Sequence, residues 1–135
     1  MIEVTCALIC RDTKILVAQN HPTSDHPLQW EFPGGKIQEN ETSAQCIVRE
    51  IKEELEIKIT VLEKMQAVEH DYGHKAIRLI PLLCRIESGA IKLNDHAAVK
   101  WIDAGELKTL DLAAADRILL ENEKNQKVLK KYIGK

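Results

Sequence analysis

The sequence predicts a domain of the α/β class, in its α+β form, with helices packed on a mixed β-sheet. Three observations support this prediction. β-Rich runs occur in pairs, one strongly amphipathic segment lies between the pairs, and a helical segment follows the last run. The chain has 135 residues, 44% of them apolar and 30% charged, which suits one hydrophobic core. We therefore expect residues 1–135 to form a single domain.

The β-rich runs divide into two predicted pairs. IEVTCALIC and KILVAQ are joined by the polar turn RDT, which predicts a hairpin. ITVLEKMQAVEH and KAIRLIPLLCRI lie on either side of the turn DYG. Pro81 lies inside the last of these runs. Because proline has no N–H to donate, we expect an edge strand or a bulge at that position.

The C-terminal third of the chain changes from strand to helix. VKWID predicts a short strand, and from about Asp111 the chain is expected to be helical. The closing segment KNQKVLKKYIGK is rich in lysine, which we interpret as a solvated helix end that complements the helix dipole, with a nucleic-acid contact as the alternative. The net charge of −2 also argues against a broad basic surface for nucleic acid.

The cysteines predict a reducing compartment. The four cysteines are Cys6, Cys10, Cys46 and Cys84. They show neither a CxxC pair nor the spacing of a zinc finger, and three of the four lie in apolar segments. The sequence opens with no charged leader ahead of an apolar core, and its apolar runs are too short for a membrane span. We therefore expect a cytoplasmic protein without a membrane partner, as a monomer or a homodimer.

The clearest predicted element is a helix that follows Thr42. Thr42 and Gln45 form a capping-box pair, in which each side chain binds the backbone N–H of the other residue. A continuous apolar stripe predicts the face that packs on the sheet. Its members are Ala44, Ile47, Val48, Ile51 and Leu55.

The same helix carries an unusual acidic face. REIKEELEI places Glu50, Glu53 and Glu54 close together, although like charges three and four residues apart repel each other. Just ahead, EFPGGK supplies two glycines, which let the backbone approach a ligand closely, and a lysine. Mg²⁺ prefers carboxylate, water and phosphate oxygens as ligands. The segment therefore predicts a site for Mg²⁺ and a phosphate chain, with a solvated helix face and a simple turn as the alternatives.

The segment GKIQENETSAQCIVREIKEELEI, residues 35–57, resembles the Nudix box. In that motif a glycine is followed, after five residues, by a glutamate and, after seven more, by Arg-Glu-apolar-any-Glu-Glu-any-Gly-apolar. The matching positions are Gly35, Glu41, Arg49, Glu50, Ile51, Glu53, Glu54 and Ile57. One position departs from the motif, because Glu56 stands where the family has a glycine that resembles a left-handed helix C-cap. WEFPGGKI and DHAAVKWID also resemble the MutT branch of the family.

The resemblance implies a fold and a metal site. The fold is an α/β/α sandwich around a mixed sheet. The metal is Mg²⁺ or Mn²⁺, and the implied ligands are the carboxylates of Glu50, Glu53 and Glu54 and the carbonyl oxygen of Gly34.

Further roles follow from the same resemblance and from charge. Arg49 is expected to brace the acidic cluster through a pair with Glu41 or Glu50. Glu50 is the first candidate for the general base that accepts a proton from water. Asp95 is the second candidate, and an ordinary turn residue is the alternative for it.

The MutT resemblance implies cleavage of a nucleoside triphosphate to a monophosphate and pyrophosphate. Lys36 is then expected to contact phosphate, Phe32 to line the base pocket and Asp116 to read the base. An ionised aspartate only accepts hydrogen bonds, so it suits a base edge that presents donors. Cytidine nucleotides and 8-oxo-dGTP both satisfy that condition. The alternatives are an exposed lysine, a core phenylalanine and a helix cap or solvated aspartate.

One departure from the MutT pattern and three other activities are weighed against this hypothesis. Gln19, Asn20 and His21 stand where the MutT pattern often has an arginine that contacts the nucleotide. Tyr72 stands where the ADP-ribose branch tends to have a proline, and a tyrosine in that region is reminiscent of dinucleoside polyphosphate hydrolases. A nucleotide sensor without turnover would be expected to lack a box glutamate, and none is lost.

Overall fold

The computed structural model describes residues 1–134. Its elements in chain order are β1 (Ile2–Arg11), β2 (Lys14–Gln19), β3 (Trp30–Glu31), β4 (Gly34–Lys36), α1 (Ser43–Leu55), β5 (Lys58–Lys64), β6 (Val68–Asp71), β7 (Ala76–Ser88), β8 (Ala98–Ile102), α2 (Ala104–Thr109), α3 (Ala114–Glu121) and α4 (Glu123–Ile133).

The strands form one mixed sheet. Its order is β3-β2-β1-β7-β5, with β4 paired to β1, β6 to β7 and β8 to β2. β1 and β7 run parallel, and the other pairings between these strands are antiparallel. The hairpin predicted for β1 and β2 is confirmed, with Cys10 opposite Ile15 and Arg11 opposite Lys14.

Helices cover both faces of this sheet. Because side chains alternate along a strand, neighbouring residues of β1 enter different cores. Leu8 packs in the cluster that contains Leu119 of α3 and Leu129 of α4. Ile9 packs in the cluster that contains Ile51 of α1. The predicted α/β/α arrangement is therefore confirmed.

Pro81 lies in an interior strand, so the predicted edge position is wrong. β7 pairs with β1 on one side and with β5 and then β6 on the other. The chain leaves the sheet between β5 and β6, and Met65 N–H donates to the carbonyl oxygen of Pro81 at this break (2.9 Å). The N and C=O of a strand residue point to the same side, so the missing N–H of Pro81 faces the break. The irregularity is in the partner strand, where β5 also shifts register between Val61 and Glu63.

The start and end of α1 follow from local sequence. The Thr42 side chain accepts a hydrogen bond from Gln45 N–H (3.1 Å), and the Gln45 side chain accepts one from Thr42 N–H (2.9 Å), so the capping box is confirmed. Glu56 ends the helix in the left-handed conformation expected at this position, with φ 57° and ψ 31°. Its N–H donates to the carbonyl oxygen of Lys52 (3.1 Å).

The buried face of α1 differs from the predicted stripe at its first turn. Ile47, Ile51 and Leu55 are buried as expected, but Ala44 is exposed. Cys46 is buried instead of Ala44, and its thiol contacts the Thr5 hydroxyl (3.2 Å). The first turn therefore packs on β1 through Cys46.

Helical structure begins before Asp111, the start that the sequence analysis assigned to it. The side chain of Asp103 accepts a hydrogen bond from Glu106 N–H (2.9 Å) and starts α2. Asn122 separates α3 from α4, and its side chain accepts from Asn125 N–H (3.2 Å). Across residues 1–134, no helix is long and apolar enough to cross a membrane.

The cysteines are free thiols. Cys6, Cys46 and Cys84 are buried, and Cys10 is half-buried. Burial raises the pKa of Cys84 to about 12, so this thiol stays protonated at neutral pH.

Candidate active site

The two glycines of β4 lie where no larger residue fits. Gly34 pairs with Cys6 of β1, and Gly35 pairs with Thr5. A Cβ atom at Gly34 would collide with the carbonyl oxygen of Thr5, and one at Gly35 would collide with the carboxylate of Glu50. The glycine strand therefore lies directly against the first carboxylate of the acidic face.

Arg49 organises the carboxylates. Its Nε donates to Glu41 (2.7 Å), and its Nη2 donates to the second oxygen of the same carboxylate (3.0 Å). Its Nη1 donates to Glu50 (3.3 Å) and to Glu53 (3.3 Å). The predicted bracing by Arg49 is confirmed, with Glu41 and Glu50 both as partners. Hydrogen bonds from Arg49 lower the pKa of Glu41 to about 2.

Glu54 is the carboxylate of the cluster whose charged form is least favourable. Burial raises its pKa to about 9, and the charges of Glu50, Glu31 and Asp95 act in the same direction. Its Oε1 is buried without a hydrogen-bond partner in the described chain. Burial also raises the pKa of Glu50. A cation bound by these oxygens would offset the repulsion between the carboxylates and would give the buried Oε1 of Glu54 a partner.

The chemistry of these donors fits Mg²⁺ or Mn²⁺, because both ions prefer carboxylate and carbonyl oxygens. Within residues 1–134, however, no three His, Cys, Asp or Glu side chains converge as they would around an ion. Glu50 and Glu53 are instead hydrogen-bonded to Arg49. Ligation by Glu50, Glu53, Glu54 and the Gly34 carbonyl stays a prediction, and it requires the side chains of Glu50 and Glu53 to move from Arg49 toward the ion.

The loop between β7 and β8 packs against the last turn of α1. Asn94 donates from its side chain to the carbonyl oxygen of Glu53 (2.9 Å) and from its N–H to that of Glu54 (3.1 Å). The adjacent Asp95 is exposed, and its charge contributes to the raised pKa of Glu54. The fold therefore brings the second candidate base to the edge of the carboxylate cluster.

Phe32 and Asp116 line one cavity of about 170 Å³ next to the glycine strand. Phe32 N–H donates to Asp116 Oδ2 (2.9 Å), and the Asp116 side chain is buried. Burial raises the pKa of Asp116 to about 8, so this carboxyl is largely protonated at pH 7. It can then donate as well as accept, unlike the ionised, accept-only aspartate expected from the sequence. Asp116 is not the cap of α3, which begins after Ala113 without a side-chain cap.

Lys36 is exposed at the end of β4. Its carbonyl oxygen accepts from Arg49 Nη2 (3.3 Å), so the contact with the arginine network involves its backbone. The phosphate contact predicted for its side chain stays a prediction.

Two residues at or next to this cavity, Glu31 and His96, were missed from the sequence, and Tyr72 was weighed only as a marker of other branches of the family. Glu31 and Tyr72 line it, and Tyr72 Oη accepts a hydrogen bond from Ala115 N–H (3.1 Å). His96 is buried and hydrogen-bonds through Nε2 to Glu31 Oε2 (3.0 Å). The available signal was proximity in sequence, since Glu31 precedes Phe32 and His96 follows Asp95.

Comparisons with known proteins agree with this architecture. A family model of the NUDIX domain matches residues 4–122. The CTP pyrophosphohydrolase of Escherichia coli (strain K12) is 39% identical over 121 residues, which are 90% of this chain and 90% of that protein. Putative 8-oxo-dGTP diphosphatase 2 of Mycobacterium tuberculosis (strain CDC 1551 / Oshkosh) is 31% identical over 115 residues, 84% of this chain and 82% of that protein. The solution structure of the E. coli ORF135 protein is similar with a TM-score of 0.78 and 38% identity, covering 90% of this chain and 86% of that one.

With its α/β/α fold, its glutamate helix and these relatives, the chain belongs to the Nudix family and is a hydrolase that acts on phosphoric anhydrides. The resemblance to MutT-like members that the sequence predicted is confirmed.

Proposed function

We propose that this Nudix hydrolase, as one domain spanning residues 1–135, cleaves nucleoside triphosphates to a monophosphate and pyrophosphate, with cytidine nucleotides as the preferred substrates. The main observation behind the proposal is that two compartments, the cavity beside β4 and the glutamate cluster of α1, lie next to each other. The cavity that contains Phe32 and Asp116 also reaches Gly34, and the next residue, Gly35, lies against the carboxylate of Glu50 on α1, the carboxylate helix. A nucleotide can therefore place its base in the cavity and its phosphates at the glutamates.

The carboxylate helix supplies the chemistry in this proposal. Glu50, Glu53 and Glu54, with the Gly34 carbonyl, would hold Mg²⁺ or Mn²⁺, which when bound neutralises phosphate charge and lowers the pKa of bound water. Glu50 is our first candidate for the residue that accepts the proton of the attacking water. Its pKa is raised by burial, which makes it a better base near neutral pH than an exposed carboxylate. Asp95 is the second candidate.

Phosphate and base contacts complete the proposal. Lys36 would neutralise charge on the phosphate chain. Phe32 would pack against the base, and Asp116 would hydrogen-bond to its edge. A protonated Asp116 can donate to a ring nitrogen while it accepts from an amino group, and the edge of cytosine offers both. The 39% identity to a CTP pyrophosphohydrolase supports the same base.

The second candidate substrate is 8-oxo-dGTP. Asp116 also suits an oxidised guanine when it ionises, because that base presents donors at N1 and at its amino group. The relative named as a putative 8-oxo-dGTP diphosphatase, at 31% identity, supports this candidate.

The test is kcat/KM with Mg²⁺ for CTP, dCTP, 5-methyl-dCTP, 8-oxo-dGTP, dGTP, ADP-ribose and diadenosine tetraphosphate, with pyrophosphate and orthophosphate scored separately. We expect pyrophosphate release to be fastest with a cytidine triphosphate. A preference of about 100-fold or more for 8-oxo-dGTP over dGTP, together with slow cytidine turnover, would favour the second candidate. Preferred cleavage of ADP-ribose or diadenosine tetraphosphate would overturn the proposal.

Two variants test the carboxylate helix. Glu53→Gln and Glu54→Gln should each lower kcat/KM by about 100-fold or more while the fold is retained, because each removes a charged oxygen from the implied metal site. Glu39→Gln is the matched control, since Glu39 is an exposed glutamate in the loop just before α1. Unchanged turnover in Glu53→Gln would contradict the assignment. Nucleotide binding without turnover in the wild type would identify a sensor.

A further inference from the structure

We propose that Glu31, held in place by the buried His96, binds a sugar hydroxyl of the nucleotide and thereby determines which sugars the site accepts. This inference rests on the proposed function, because it requires the base and the phosphates to occupy the two compartments described above. Neither residue was assigned a role from the sequence.

The position of Glu31 lies between those compartments. Glu31 lines the cavity that contains Asp116, and its charge contributes to the raised pKa of Asp116. Gly34 lines the same cavity, and its neighbour Gly35 lies against the carboxylate of Glu50 on the carboxylate helix. A carboxylate between the base cavity and the glycine strand lies where the sugar joins the base to the phosphates.

His96 fixes the orientation of this carboxylate. The His96 side chain is only 3% exposed, and its Nε2 lies 3.0 Å from Glu31 Oε2. Its Nδ1 is buried without a hydrogen-bond partner in the described chain. A buried polar atom left unpaired is unfavourable for folding, so stability alone does not explain a histidine at this position. The hydrogen bond to His96 uses Oε2 of Glu31 and leaves Oε1 available to a ligand.

The chemistry of Glu31 selects the part of the nucleotide that it contacts. A carboxylate accepts hydrogen bonds and repels phosphate. The base edge is already opposite Asp116 in the proposed binding mode. The donors that remain on a nucleoside triphosphate are the hydroxyls of its sugar, so Glu31 is matched to a hydroxyl.

The experiment varies residue 31 of the protein and the sugar of the substrate together. The preferred triphosphate is assayed in its ribose, 2′-deoxy and 2′,3′-dideoxy forms with the wild type and Glu31→Ala. We expect the wild type to lose about tenfold to 100-fold in kcat/KM when the contacted hydroxyl is removed, since hydrogen bonds to charged groups are the stronger ones. Glu31→Ala should show the same kcat/KM, within about twofold, for the forms with and without that hydroxyl.

His96 is tested as a positioning residue. His96→Leu should remove most of the hydroxyl dependence and raise KM more than it lowers kcat, whereas His96→Gln, which keeps a donor, should restore part of it. Glu63→Gln is the matched control. The Glu63 side chain is 30% exposed, as is that of Glu31, but it binds Lys131 and Tyr132 of α4. Thermal unfolding of every variant checks that the fold is retained.

The outcomes separate this inference from the proposed function. A wild type that cleaves nucleoside triphosphates but is indifferent to both sugar hydroxyls overturns the inference alone. An equal loss on all three sugars in Glu31→Ala also overturns it, because Glu31 would then act through the base or the carboxylate helix. A wild type that cleaves none of the triphosphates overturns the proposed function and this inference with it.

Discussion

Arg49 contacts both carboxylate oxygens of Glu41, through Nε at 2.7 Å and Nη2 at 3.0 Å. Such a two-point pair fixes direction as well as distance. Glu41 also accepts a hydrogen bond from Gln38 N–H (3.0 Å), so one carboxylate ties the loop before α1 to the helix itself. The arginine that braces the acidic face is therefore positioned by a residue outside that face.

This pair should make the stability of the protein sensitive to acid. The hydrogen bonds from Arg49 lower the folded-state pKa of Glu41 from 4.5 to about 2. A lowered pKa contributes stability above the unfolded-state value, and that contribution is lost as pH falls from about 4.5 toward 2. We expect Glu41→Gln to lose less free energy of unfolding than the wild type between pH 5 and pH 3, measured by urea unfolding. Glu39→Gln is the control, and it should behave like the wild type.

Glu56 should be a site where glycine stabilises the fold. Its φ of 57° lies in the left-handed region, which costs most residues other than glycine about 1 kcal/mol or more. We expect Glu56→Gly to raise the free energy of unfolding by about 0.5–1 kcal/mol, measured by urea unfolding at pH 7. Asn40→Gly is the matched control, because Asn40 also has a positive φ (64°) but asparagine tolerates that region. An equal gain in both variants would refute the account of Glu56.

The structure was predicted correctly where the local sequence signals were strong. The capping box and the spacing of Ile47, Ile51 and Leu55 predicted α1 because those interactions lie within a few residues of each other. A similar signal was overlooked at α2, where Asp103 is followed three residues later by Glu106. Helical spacing placed the three glutamates on one face of α1, and the family motif suggested a bracing role for Arg49, which contacts Glu50 and Glu53 in the structure.

Long-range packing accounts for what the sequence did not predict. Glu31 and His96 are 65 positions apart and meet only because β3 and the segment before β8 flank the same end of β2. The burial of Asp116 likewise depends on Phe32, 84 positions away. Pro81 was expected in an edge strand or at a bulge because it has no N–H to donate, whereas it lies in an interior strand opposite the point where the chain leaves the sheet. A residue's own sequence neighbourhood contains no information about such partners.

Asp116 should make the protein less stable as pH rises from acidic values toward 8. Burial raises its folded-state pKa from 3.8 to about 8. A raised pKa means that the stability present below pH 3.8 declines as pH rises toward 8, because the unfolded chain ionises first. Asp116→Asn cannot ionise, and its amide oxygen can still accept from Phe32 N–H.

We therefore expect Asp116→Asn to be more stable than the wild type at pH 8, by about 1 kcal/mol or more, with a smaller difference at pH 5. Urea unfolding at the two pH values measures both quantities. If the difference between variant and wild type is the same at pH 5 and pH 8, the carboxyl does not titrate as proposed. The same variant changes the donor presented to the base, so its kcat/KM for cytidine and guanine substrates reports on base reading.

Asn125 should be a stabilising residue without a role in turnover. It is fully buried, its Oδ1 accepts from Gln66 N–H (2.7 Å), and its Nδ2 donates to the carbonyl oxygens of Gln66 (2.9 Å) and Leu119 (3.1 Å). These bonds replace the strand partner that Gln66 lacks at the break between β5 and β6. Asn125→Ala leaves the buried Leu119 carbonyl oxygen and the partly buried backbone groups of Gln66 without these partners, so we expect a loss of about 2–4 kcal/mol in the free energy of unfolding. Gln126→Ala, an exposed neighbour with one backbone contact, should change it by less than about 1 kcal/mol. The kcat/KM of folded Asn125→Ala should match the wild type, and a large loss of turnover at full folding would contradict a purely structural role.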